Sequence, residues 1–149
     1  MMITRKLTFT VPGDPIGKGR PRFVRGSGRT YTPEKTARYE NLVRLSFIQE
    51  HPGLTPINSA VEINIRAYFQ IPESWPKKRK TAALSGELLK VTKPDLDNII
   101  KSITDGLNGV AWTDDVLIHA INASKDYSET PRVEVSIYYT EEQEEEQNG

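Results

Sequence analysis

The chain has 149 residues, twenty basic and twenty acidic, and no cysteine. That length fits one domain around a single core, and the absent thiols exclude disulfides and thiolate zinc sites, as befits a reducing cytoplasm. The net charge of zero averages two unlike parts: five glutamates fall in the last nine residues, so residues 1–140 carry a net +5, which is compatible with a nucleic acid partner.

Ile3, Leu7, Phe9 and Val11 alternate with Thr4, Lys6, Thr8 and Thr10, the period of a half-buried strand. Pro12, Gly13, Pro15, Gly17, Gly19 and Pro21 then interrupt regular structure. The loop from Pro12 to Tyr31 holds Lys18, Arg20, Arg22, Arg25 and Arg29 against one acid, Asp14. Thr32-Pro33 predicts a helix start, with a hydroxyl cap and proline at the first helical position. Ala37, Leu42, Val43, Leu45, Phe47 and Ile48 give that helix its apolar side, and His51-Pro52-Gly53 ends it.

A second strand follows, in which Val61, Ile63, Ile65, Ala67 and Phe69 alternate with polar residues. Ser74-Trp75-Pro76 opens a short helix through Leu84 that carries Lys77, Lys78, Arg79 and Lys80 in a row. Four consecutive charges point around a helix, so they cannot all serve one surface. The next helix runs from about Asp97 to Leu107 and stops at Asn108-Gly109, with Ile99, Ile100, Ile103 and Leu107 as its buried stripe. Two strands close the chain, Val116–Ala123 and Arg132–Tyr139. The expected fold is α+β: a single domain over residues 1–140, a mixed sheet with helices packed on it, in the order β-α-β-(short α)-α-β-β. Residues 141–149 form an acidic tail expected to be disordered. No apolar run is long enough for a signal peptide or a membrane span, so a soluble cytoplasmic protein is expected.

The chemistry concentrates in Lys93-Pro94-Asp95-Leu96-Asp97-Asn98-Ile99-Ile100-Lys101 and in Trp112-Thr113-Asp114-Asp115. Closely spaced carboxylates repel unless a cation or a proton joins them. An oxygen-only ligand set suits Mg²⁺ or Mn²⁺, and with a basic loop in the same chain it points to phosphodiester chemistry. Blander readings compete. Helix capping favours aspartate at positions 95 and 97, though it explains one better than two. Lys101 stands one turn beyond Asp97 and could form a surface ion pair with it or with Asp105. If Asp114 and Asp115 begin a strand they point to opposite faces, and the apolar alternation on both sides does not choose between them. His119, alone in an apolar strand, reads as a core or edge residue, and Trp75 and Trp112 as packing residues.

Those residues resemble the signature of the RusA-type Holliday-junction resolvases, crossover-junction endodeoxyribonucleases common in prophages. The similarity lies in Lys93 to Lys101, in Asp105-Gly106-Leu107-Asn108-Gly109-Val110 and in Asp114-Asp115-Val116-Leu117-Ile118. The segment Val11 to Arg22 resembles the phage branch of the family, and the whole resemblance spans about Phe9 to Tyr139. It implies a homodimeric, Mg²⁺-dependent enzyme that nicks two strands of a four-way junction symmetrically. It implies metal-binding at Asp95, Asp97 and Asp115, in preference to Asp114, and a catalytic role for Lys101. The basic segment from Ser74 to Lys93 departs from the shortest members by its length. Lys18, Arg20 and Arg22, set among glycines and prolines, are expected to contact DNA phosphates. Two other readings share the basic loop: a broader branched-DNA or flap nuclease, and a non-catalytic DNA-binding module whose acidic cluster is structural.

Overall fold

The computed structural model describes residues 1–19, 22–23, 26, 30–31 and 33–144. Its elements are β1 (Met2–Pro12), β2 (Arg22–Phe23), β3 (Thr30–Tyr31), α1 (Glu34–Glu50), β4 (Val61–Gln70), α2 (Lys77–Ser85), α3 (Leu96–Leu107), β5 (Ile118–Ser128) and β6 (Arg132–Glu142). Four long strands form one mixed sheet in the order β1-β6-β4-β5. β6 pairs antiparallel with β1 and β4, whereas β5 pairs parallel with β4. Parallel neighbours require a crossover, and α2 and α3 lie within that connection. The α+β class and the element order are as the alternation and helical periods predict.

One face of the sheet is the core face. Val11, Val61, Ile63, Ile65, Ala67, Val133 and Ile137 are all fully buried there. α1 and α3 cover it, contributing Val43 and Phe47 from one helix and Ile99, Ile103 and Leu107 from the other. Each such side chain contributes about 1.5–3 kcal/mol by leaving water. The two helices meet almost backbone to backbone at Gly106. A Cβ there would stand 2.9 Å from the Glu40 carbonyl oxygen and 2.9 Å from Val43 Cβ. This close approach fixes the rotation of α3, and so the direction in which its polar flank points.

Several boundaries differ from expectation. α1 begins at Glu34, with Pro33 as the extended residue before it rather than the first helical one; Thr32, read as the cap, lies outside the described residues. The buried stripe of α1 is Thr36, Tyr39, Val43 and Phe47, whose spacing of three or four keeps one face. Leu45 and Ile48 are off that line and exposed. The loop from Pro12 to Tyr31 is not wholly irregular, because β2 and β3 pair across it. β5 starts at Ile118, not Val116, and continues to Ser128 because β4 offers partners as far as Gln70. β6 runs through Glu142, two residues into the acidic segment. Met2 and Ile3 pair with Glu142 and Glu141, and Arg5 Nε donates to Glu141 Oε1 at 2.7 Å. No helix among the described residues is long and apolar enough to cross a membrane.

Candidate active site

α3 carries the first part of the site. Asp95 is its N-cap residue, and its backbone carbonyl accepts from Asn98 N and Ile99 N at 3.1 and 3.2 Å. Its carboxylate makes no capping hydrogen bond and is exposed. The capping explanation for an aspartate here is therefore not realised by the side chain. Asp97 lies in the first turn, also exposed. Ile99, Ile103 and Leu107 face the core, so Asp97, Lys101 and Asp105 line the flank at spacings of four. Neither anticipated surface pair forms among the described residues: Lys101 bonds neither Asp97 nor Asp105, and Asp105 is taken by Lys18 at 3.0 Å.

The second part follows α3. Gly109, at φ +79°, lets the chain turn back so that its N–H meets the Trp112 carbonyl at 2.8 Å. Ile57 N donates to Ala111 O and Thr113 N to Ile57 O, at 2.9 and 3.0 Å, which ties this turn to the segment before β4. Trp112 is fully buried, and its indole Nε1–H donates to Asp115 Oδ1 at 2.7 Å. Residues Asp115–Leu117 form a 3₁₀ turn, not the first residues of a strand. The two-face rule for adjacent aspartates therefore does not apply, and Val116 points to solvent.

The turn gives the two aspartates different work. Asp114 Oδ1 caps it by accepting from Val116 N at 3.1 Å. Asp115 is half-buried and oriented by the tryptophan, with Oδ2 unengaged among the described residues. Burial pushes the Asp115 carboxyl above the usual carboxylate range, the Trp112 hydrogen bond opposes that, and the charges of Asp105 and Asp114 add to the rise. Trp112 packs in the core, as its place in the sequence predicts. Its second role, as the residue that aims Asp115, is signalled in the sequence only by the short spacing between the two.

The glycine-rich loop completes the surroundings. Ser102 Oγ donates to Ile16 O at 2.7 Å and Lys18 N donates to Asn98 O at 2.8 Å, so residues 15–19 lie across α3. Gly17 allows this, since a Cβ there would stand 3.0 Å from Pro94 Cβ and 3.2 Å from Asn98 Cβ. Gly19 N donates to Thr36 Oγ1 at 2.9 Å, which anchors the loop to α1 as well. A cleft of about 900 Å³ opens between this loop and α3, lined in part by Gly17, Gly19, Lys35, Lys93 and Asp95.

Lys18 does not point freely at a partner. Its ammonium sits between Glu40 of α1 and Asp105 of α3, with its side chain only 16% exposed. Burial alone would pull its pKa down, but hydrogen bonds and attraction from Glu40 and Asp105 outweigh that and raise it. While Glu40 and Asp105 are ionised, the stabilisation from the Lys18 charge is fully present below the ordinary lysine value and is lost as pH rises through the raised one. Lys18→Met should lower stability by about 1–3 kcal/mol, because it removes charged hydrogen bonds and leaves two carboxylates facing each other. Urea denaturation measures this, and an unchanged midpoint would contradict the pinning role. Arg20 and the side chain of Arg22 lie outside the described residues. His119 is exposed on the edge strand β5, and Trp75 packs against Arg79 at 4.0 Å and Tyr127 at 5.3 Å between centres.

Among the described residues, no three carboxylates or histidines are already gathered as a metal cage. The donor chemistry nonetheless fits a hard divalent cation: the candidates are all oxygen ligands, Asp95 and Asp97 are exposed and without capping bonds or ion pairs among the described residues, and Asp115 has an oxygen to spare.

Comparison with known proteins bears on what such a site is for. A family model described as endodeoxyribonuclease RusA matches residues 12–138, which include both parts of the site. An uncharacterized protein of Bacillus subtilis (strain 168), YqaN, is 38% identical over 135 residues, covering 88% of this chain and 94% of that protein.

Proposed function

The chain belongs to the RusA endodeoxyribonuclease family, and from that premise we propose a Mg²⁺-dependent, homodimeric enzyme that resolves Holliday junctions by paired symmetric nicks. Junction-resolving endonuclease activity is the family's. The metal, the pairing of the cuts and the residue roles are the proposal. The observation that supports it most is the contrast at the second half of the site. Asp114 is consumed by its own turn, while the core tryptophan holds Asp115 out with a free oxygen.

On this reading Asp95, Asp97 and Asp115 hold Mg²⁺, or Mn²⁺ in its place. When bound there, the cation would supply Lewis acidity toward a water and toward the charge of the phosphate. Lys101, one turn beyond Asp97, offers an ammonium to the same phosphate and stabilises the developing charge. Trp112 and the core keep Asp115 in one orientation, so little reorganisation is needed when substrate arrives. Lys18, Glu40 and Asp105 fasten the glycine loop, α1 and α3 to one another behind the cleft. A two-fold dimer would match the two-fold symmetry of a four-way junction and present one such site to each of two opposed strands. The substrate class is tested by offering a synthetic four-way junction, a flap and a linear duplex with Mg²⁺. The junction should be cut and the duplex spared; equal cutting of flap and junction would favour the broader branched-DNA nuclease.

A further inference from the structure

Two lysines converge just upstream of Asp95, and none of the roles above uses them. Lys90 follows the αL turn at Gly86 that ends α2, and Lys125 stands on β5 opposite Ala67. Lys125 Nζ donates to the carbonyls of Thr92 and Pro94 at 2.9 and 3.0 Å. Lys90 Nζ donates to the Thr92 hydroxyl, and lies 4.9 Å from the centre of the Phe69 ring. Both ammonium groups therefore meet at one residue, three positions before Asp95. Both lysines are half-buried, and neither pairs with a carboxylate among the described residues.

Such an arrangement is unfavourable by itself, because like charges in a partly desolvated place repel. The strain registers on Lys90, whose proton affinity is pulled down by burial and then by the charge of Lys125. An ammonium has three donors. Lys125 uses two and Lys90 one in the bonds above, which leaves three N–H groups for an anion. The Phe69 ring flanks the Lys90 ammonium and the backbone of residues 92–94 holds that of Lys125, so both charges are fixed at the segment that leads into Asp95. Lys93, exposed in the same segment and lining the cleft beside Asp95, adds a further cation, which suits a chain of phosphates better than one isolated anion.

We propose that Lys90 and Lys125 form a phosphate site that holds the DNA backbone next to the position of cleavage, an inference that rests on the nuclease reading above. Lys90 acts by binding alone. Lys125 both binds and positions, since its two carbonyl bonds fix the segment that delivers Asp95. The length of the segment from Ser74 to Lys93 then has a use: it carries Lys90 to the edge of the site.

The test is fluorescence anisotropy of a labelled four-way junction, in EDTA so that no cutting intervenes, at several salt concentrations. Lys90→Gln removes one phosphate-neutralising charge and should reduce the slope of log K against log[salt] by about 0.9, which at ~0.1 M salt is about an eightfold loss of affinity. Lys90→Arg should keep the slope. At sub-saturating junction with Mg²⁺, Lys90→Gln should cut more slowly by the same factor as its loss of affinity, whereas Lys125→Gln, which also frees the segment before Asp95, should lose slope and in addition lose rate at saturating junction. A Lys90→Gln protein that melts earlier yet keeps the wild-type slope would overturn the phosphate site and make Lys90 a packing residue. If the wild type cuts the junction and the Lys90→Gln slope is unchanged, this inference alone fails. If the wild type neither binds nor cuts the junction, the nuclease reading fails and takes this one with it.

Discussion

Asp97→Asn should lower junction cleavage by about 10²–10³-fold or more, on the scale seen when one preorganised electrostatic group is removed from a reacting centre. Asparagine keeps the shape and the helix position and removes only the charge. Asp97 has no ion pair among the described residues and is exposed, so folding loses nothing with it. Stability should stay within about 0.5 kcal/mol of wild type, or rise slightly as repulsion among the acids is relieved. Junction affinity should persist, because a negative charge near phosphate opposes binding. Asp95→Asn and Asp115→Asn should behave alike. Asp114→Asn should still cut, since an amide oxygen can accept from Val116 N as the carboxylate does. Single-turnover cleavage, anisotropy and thermal melting on the same preparations separate these effects. An Asp97→Asn protein that cuts at the wild-type rate would move the metal off α3. Activity in Asp115→Asn together with inactivity in Asp114→Asn would exchange the two aspartates.

Trp112 should give the largest loss of stability. It is fully buried between the α3 turn and the sheet, and Trp112→Ala should cost about 3–5 kcal/mol by lost burial and the cavity left behind. Trp112→Phe is the more informative change. It keeps most of the volume and removes the Nε1–H, leaving Asp115 Oδ1 half-buried without its donor. That variant should fold, lose about 1–3 kcal/mol, and cut junctions about 10–100-fold more slowly, the usual scale for a residue that orients a metal ligand. Raising the Mg²⁺ concentration should recover part of the rate if the defect is metal affinity. Wild-type cleavage by a folded Trp112→Phe protein would show that the indole does not position Asp115.

The parts of this architecture that can be read from the chain are those governed by local periodicity. Ile99, Ile103 and Leu107 recur at helical spacing, and the core-facing residues of β1, β4 and β6 alternate. The pattern of Asp95, Asp97, Lys101 and Asp115 carries the family because it is compact in sequence, a resemblance that the matched family model supports. What escapes such reading depends on partners far apart in the chain. Lys18 looks like a free cation in a basic loop, but its partners Glu40 and Asp105 belong to two different helices. Lys125 lies beyond the strand that periodicity ends at Ala123, and only the continued parallel register of β5 with β4 brings it to the carbonyls of Thr92 and Pro94. Val116 misleads in the opposite sense: an apolar residue before Ile118 suggests a strand, whereas the Asp114 side chain closes a 3₁₀ turn and leaves Val116 in water.

Whether these carboxylates make a metal-dependent junction resolvase is tested most directly by strand-resolved cleavage. Each of the four strands of a synthetic junction is labelled in turn and incubated with the protein in Mg²⁺ or in EDTA. Paired nicks at symmetric positions in two opposed strands, present with Mg²⁺ and abolished by EDTA, are the predicted result. Cleavage that survives EDTA, or no cleavage of any strand with Mg²⁺ or Mn²⁺ present, would contradict it.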